Sequence, residues 1–342
     1  MLRDVRPDDG EDPGTLDRSG YELEFDETFT EPGLDPGRWV AHYLPHWTTP
    51  ERSAARYELE PGVLRLRIDA DQPAWRSEDG EMRVSNIQTG TFAGPLGSPI
   101  GQHRHRPDLA VRTPQATRRL YTPSFGLAEA VLRAGPDPTC MLAFWLVGFE
   151  EQSPNSSGEI CVAELFGHAI AARQSGVRIG VKAHHDPCLH DDMEEIALDL
   201  DATEWHTYTA EWTPDRVRFF VDDQLVRAAY QRIDYPLQLM VDLFEFPAGV
   251  DRDTAAYPKI GEVKAVRGYR RPDVENHART GVHRRDESSN VATRDAMTTP
   301  LPVVRQRTQV LRGRQTVAGT GSSTPAWGAA DGLGPSHRAS LD

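Results

Sequence analysis

Two glutamates five positions apart, Glu159 and Glu164 in the segment GEICVAELFG, are the residues whose type and spacing best suit chemistry. Carboxylates about 5 Å apart can break a glycosidic bond, one as nucleophile and the other as general acid and base. In a regular strand successive side chains alternate, so positions 159 and 164 would face opposite ways. One extra residue, expected around Val162-Ala163, makes a β-bulge that returns Glu164 to the face of Glu159 and Cys161. The two α-carbons would then lie about 13–16 Å apart, and long side chains on a twisted sheet can lean together across that gap. Two acids on one buried strand face need a reason, because desolvated carboxylates are costly unless paired or functional.

The elements that must position this pair are strands. In Val63–Ile68, Leu64, Leu66 and Ile68 alternate with Arg65 and Arg67, the pattern of a half-buried strand. From Trp205 to Trp212 the alternation returns, with Tyr208, Ala210 and Trp212 on one side. Thr213-Pro214-Asp215 and Asp222-Asp223 then punctuate two consecutive hairpins. No long amphipathic helix is visible, so crossover helices for a parallel sheet are lacking. The fold class expected is all-β, an antiparallel β-sandwich spanning residues 21–268. The segment from Thr91 to Leu120, with GPLGSPIGQHRHRP, is too long for a hairpin loop and reads as an insertion. Two readings of it stay open: a border to a binding site, or a loop without a role.

In this frame GEICVAELFG resembles the active-site strand of glycoside hydrolase family 16, concanavalin A-like β-sandwich enzymes of the laminarinase and β-glucanase kind. Three further segments are similar to that family in the same order: Phe125–Ala130, Leu142–Gly148 and Trp205–Asp222. The resemblance implies a retaining endo-acting hydrolase of polysaccharide β-linkages. It makes Glu159 the nucleophile, Glu164 the acid/base and Trp145 a flat platform under the sugar beside the scissile bond. It also places His184, at the end of the strand Val177–His184, in the cleft near the acid/base. Trp47, in an early aromatic loop, is a candidate second stacking surface. No cofactor is required, and no metal ligands are identified.

The family motif has an aspartate where this chain has Cys161. In the family that aspartate lies between the glutamates and helps set the protonation of the nucleophile. A thiol is a weak donor and weak acceptor, and two neighbouring carboxylates should keep it neutral. Attenuated hydrolysis is therefore expected, and a catalytically impaired, lectin-like glycan-binding protein on the same fold is the alternative. Transglycosylation shares the covalent intermediate and is not separable from hydrolysis by sequence. A second cluster, His184 to Asp192, contains His185, Cys188 and His190, but lacks the separated ligand pairs of a zinc site and reads as a surface turn.

Composition bounds the partners. The 342 residues carry 38 basic and 52 acidic groups, a net charge of −14, which repels phosphate backbones and argues against nucleic acid. No apolar run approaches the length of a membrane span. Only Lys182, Lys259 and Lys264 are lysines, a bias read as genome composition without functional weight. Three cysteines make no disulfide framework. The first twenty residues hold acids and prolines rather than a basic start and apolar run, so a cytoplasmic location is expected, or secretion if the start codon is misassigned. Residues 1–20 and 269–342 read as disordered extensions, the latter rich in Ser, Thr, Gly and Pro. A monomer acting on a polysaccharide is the partner expectation.

Overall fold

The computed structural model describes residues 14–246 and 256–272. In chain order its strands are β1 (Glu22–Glu27), β2 (Arg56–Glu60), β3 (Val63–Ile68), β4 (Arg83–Gln88), β5 (Gly90–Thr91), β6 (Arg118–Arg119), β7 (Gly126–Arg133), β8 (Cys140–Gly148) and β9 (Glu159–Phe166). There follow β10 (Ile170–Ala171), β11 (Gln174–Lys182), β12 (Asp192–Leu198), β13 (His206–Trp212), β14 (Val217–Val221), β15 (Gln224–Ala229), β16 (Leu237–Glu245) and β17 (Lys259–Arg270). The α-helix among the described residues, Pro50–Ser53, is a single turn. No helix there is long and apolar enough to cross a membrane.

Two antiparallel sheets make the sandwich. One runs β15-β14-β13-β7-β17-β3-β2, with β1 also on β17; the other runs β10-β11-β9-β8-β16-β4, with β12 on β11. Alternation decides which side chains fill the space between them. Leu64, Leu66 and Ile68 are fully buried, as are Tyr208 and Ala210 with Trp212 nearly so, and all join one apolar cluster with Leu142, Phe144, Leu146 and Ile160 of the facing sheet. Each such aliphatic side chain contributes roughly 1.5–3 kcal/mol by leaving water. The expected Asp222-Asp223 hairpin is present: both residues have positive φ, 48° and 64°, and Val221 pairs with Gln224, the geometry whose twist matches the flanking strands.

The bulge in β9 falls where the glutamate spacing requires it. Phe144 of β8 pairs with Ala163 while Trp145 pairs with Cys161, leaving Val162 as the extra residue. Val162 and Ala163 both enter the core cluster, so Glu159, Cys161 and Glu164 share the outer face. On the other side β11 shifts register at the same level, between Arg178 opposite Glu164 and Gly180 opposite Cys161.

The insertion folds back over that outer face. A two-residue ribbon, β5 with β6, closes its ends, and Ala93 bridges to Gly101 within it. Of the expected N-terminal disorder, residues 14–20 are a correction: Thr15 bridges to Gln224, Leu16 is buried, and Arg18 pairs with Glu129 at 2.5 Å and with Asp223 at 2.8 Å. A single apolar residue with backbone and ionic anchors is enough to dock a segment whose composition reads as unfolded. The rest of that extension, and residues 273–342 of the expected tail, lie outside the described residues.

Gly180 gives a direct test of the bulge. Its φ is +145°, and a Cβ there would sit 2.0 Å from the Asp192 carbonyl oxygen. Gly180→Ala is expected to cost at least about 1–3 kcal/mol of unfolding free energy, read by denaturant titration, because both the dihedral and the strand contact resist it. Wild-type stability would mean that β11 can relax there without a penalty.

Candidate active site

Across the outer face of the second sheet, cross-strand register brings together residues far apart in sequence. Glu159 of β9 lies between Val147 of β8 and Lys182 of β11; Cys161 lies between Trp145 and Gly180; Glu164 lies between Ala143 and Arg178. Directly paired antiparallel residues share a face. Glu159, Cys161 and Glu164 each place one polar side-chain atom within 4.8 Å of the others. That spacing is close to the separation of about 5–5.5 Å at which one carboxylate attacks directly, and shorter than the gap that leaves room for an intervening water.

The Lys182 ammonium occupies the centre of the group. It donates to Glu159 Oε1 at 3.1 Å and to Glu164 Oε1 at 2.7 Å. The Cys161 thiol donates to the same Glu159 oxygen at 2.9 Å, and His184 Nε2 lies 2.7 Å from Glu159 Oε2. Arg178 Nε is 3.7 Å from Glu164 Oε2. Both glutamate side chains are nearly buried, whereas Lys182 is 26% exposed, so the ammonium is the more accessible group of the three.

Burial alone would raise the Glu159 carboxyl, but Lys182 and His184 outweigh it and hold it well below the usual carboxylate range. The group is ionised, as a nucleophile must be. Burial, followed by the charge of Glu159, pushes the Cys161 thiol well above its ordinary value, so it stays neutral. The thiol thus occupies the place of the motif aspartate as a weak donor, and the electrostatic control of Glu159 comes from a cation on the neighbouring strand. The same ammonium donates to Glu164 Oε1, so one side chain ties the two carboxylates together.

Residues 116–254 match the family model described as Glycosyl hydrolases family 16. That match spans strands β7 to β16, including the strand that carries both glutamates. Among solved structures it is similar to the GlcNAcα1-4Gal releasing endo-β-galactosidase from Clostridium perfringens, with a TM-score of 0.64 and 26% identity over 75% of this chain and 64% of that one. This chain therefore spans less than two thirds of that enzyme. It is also similar to the catalytic domain of an endo-1,3-β-glucanase (laminarinase) from Thermotoga petrophila RKU-1, with a TM-score of 0.52 and 17% identity over 74% and 98% of the two chains. A laminarinase from Flavobacterium sp. UMI-01 gives a TM-score of 0.51 and 18% identity over 73% and 100%. No curated protein matches the chain closely enough to count as a relative.

The sequence-derived candidates fare differently. Glu159, Cys161, Glu164 and Trp145 share the face. Trp145 is 5% exposed, lies under Lys182 with the ammonium 5.2 Å from the ring centre, and its indole nitrogen has no hydrogen-bond partner among the described residues. His184 joins the group, but on Glu159 rather than beside Glu164 as expected, because its φ of +49° turns the chain at the end of β11. Trp47 is a correction. It is fully buried, donates to the Gln102 carbonyl at 2.9 Å, and supports the insertion from below, where no sugar can stack on it. The His185–His190 stretch is a turn: the His185 ring reaches the Arg104 carbonyl at 2.7 Å, and the His190 backbone donates to Gln231 at 2.9 Å.

Sequence reasoning missed Lys182, His103 and Asp242. His103, in the insertion, packs its ring on His184 with centroids 4.7 Å apart, so this segment borders the site. Its backbone N–H donates to Glu150 at 2.6 Å, and burial raises that carboxyl to about 8. Asp242 of β16 pairs with Ala143 and is fully buried; burial raises its carboxyl well above the usual carboxylate range, and Asn86 donates to it at 2.7 Å. An acid inside the apolar run of β16 was a readable signal. Lys182 offered a fainter one, as one of three lysines in a chain whose other basic side chains are arginines.

Replacing Lys182 by Gln tests the electrostatics. Without the cation, Glu159 should ionise at a higher pH, so the acid limb of kcat/KM on any glycan found to be cleaved moves to higher pH. An unmoved limb would assign the depression of Glu159 to other groups.

Proposed function

We propose that this chain is a retaining, endo-acting glycoside hydrolase that cleaves internal β-linkages of a polysaccharide such as a β-glucan. The observation that carries the reading is the placement of Glu159 and Glu164 on one sheet face with carboxylate atoms within 4.8 Å. In the first step Glu159 attacks the anomeric carbon and Glu164 gives its proton to the leaving oxygen, forming a glycosyl-enzyme ester. In the second, Glu164 takes a proton from water, which attacks the same carbon and releases Glu159. Trp145 supplies an apolar floor for a pyranose ring once Lys182 swings aside. The chemistry needs no cofactor. Likeness to an endo-β-galactosidase supports trying β-galactans beside β-glucans.

A second reading, a lectin-like protein that binds glycan without turnover, is favoured by one feature: the Lys182 ammonium occupies Glu164 Oε1, a carboxyl oxygen that the first step needs free to face the leaving oxygen. The two readings separate on a panel of β-1,3-glucan, mixed-linkage glucan and galactans assayed for new reducing ends. Glu159→Gln and Glu164→Gln are each expected to lower kcat/KM by at least about 10²-fold, and Cys161→Asp to raise it. Binding without new reducing ends in every form, Cys161→Asp included, would favour the lectin and remove the hydrolase.

A further inference from the structure

His103, His184 and Glu159 bring two imidazoles and a carboxylate oxygen within 4.8 Å of one another. The three come from separate parts of the chain, and each is held independently. Glu150 fixes the His103 backbone, while His185, next to His184, bonds Ser157 through its own N–H at 2.9 Å and Arg104 through its ring at 2.7 Å. His103 and His184 both adopt left-handed backbone, φ 53° and 49°, which is uncommon for residues other than glycine and recurs at ligand clamps. Their rings meet at 81°, edge to face.

We infer that these three residues form a reversible site for a borderline divalent cation of the Zn²⁺ type, seated on the nucleophile. Two histidines and a glutamate are a recurrent three-ligand zinc set that leaves one position for water. Hard cations such as Ca²⁺ want six or more oxygens, which this group does not offer. Bonds of about 2.0–2.1 Å place neighbouring ligands about 3.3 Å apart, so His184 and Glu159 separate slightly from their 2.7 Å contact as the ion enters. The ion uses Glu159 Oε2; Lys182 and Cys161 hold Oε1. The bound ion withdraws the electron pair that Glu159 needs for attack, so it acts as an inhibitor. Inhibition rests on the proposed hydrolysis; ion binding does not.

The test titrates the full chain, freed of metal by chelation, with ZnCl₂ in a calorimeter, and repeats the titration with Co²⁺ followed by visible absorption. One equivalent of Zn²⁺ should bind, and Co²⁺ should show the intense d–d bands of a tetrahedral centre. His103→Asn and His184→Asn keep a residue that tolerates left-handed backbone, and each should weaken Zn²⁺ by more than about 10-fold. Lys182→Gln should tighten it by removing a nearby positive charge. Cys188→Ser and His190→Asn, in the surface turn, should leave it unchanged. Absence of stoichiometric binding, binding that survives both histidine variants, or binding lost with Cys188→Ser would overturn the site whether or not the chain cleaves glycans. Should one histidine variant fail to fold, the Co²⁺ spectrum of the wild type and the other variant still decide.

Discussion

The site depends on one surplus residue in a strand. Val162 has no partner on β8, and its insertion turns a five-residue spacing, which alternation would split between core and solvent face, into a pair on one face. Without it Glu164 would point into the space filled by Phe144, Leu146 and Val181, where a carboxylate has no partner and its desolvation is prohibitive. The apolar core thus enforces the bulge from below, by accepting Val162 and Ala163 together, as firmly as the acids use it from above. Gly180 on β11 completes the arrangement, since the strand beside a bulge must bend with it.

Given that geometry, the chemistry turns on how charge is shared. A carboxylate between two carboxylates, as in the family motif, would control the nucleophile by a strong hydrogen bond. Here a neutral thiol keeps the position and the charge has moved to Lys182, opposite Glu159 in the register of the next strand. The ammonium reaches both glutamates at once and so occupies an oxygen of each, Oε1 of Glu159 and Oε1 of Glu164. The prospect of attenuated activity, raised by Cys161 alone, therefore acquires a second cause. The remedy available to the protein is movement of a long, partly exposed side chain, which a sugar ring arriving over Trp145 would press aside.

Local periodicity made most of the fold legible. Leu64, Leu66 and Ile68 face the core because strands alternate, and Asp222-Asp223 closes a hairpin because aspartates tolerate positive φ; neither inference needed a distant contact. The bulge was legible too, from the spacing of two acids that only a defect in alternation could unite. What escaped was set by register between strands remote in sequence. Lys182 gains its meaning from standing opposite Glu159, and His103 from an insertion whose composition suggests only a loop. Trp47 misled for a related reason: an aromatic residue in a loop can stack on a ligand or brace another loop, and the packing of Gly101 and Gln102 against it chose the latter.

The central claim, that Glu159 attacks carbon and no water stands between the two acids at that moment, has a stereochemical signature. Proton NMR of the reducing ends formed in the first minutes of cleavage reads it directly. The account predicts that the β-anomer appears first and the α-anomer grows in only as mutarotation proceeds, the mark of two successive displacements. Initial release of the α-anomer would contradict it, because a single displacement by water requires the carboxylates to stand farther apart than this sheet holds them.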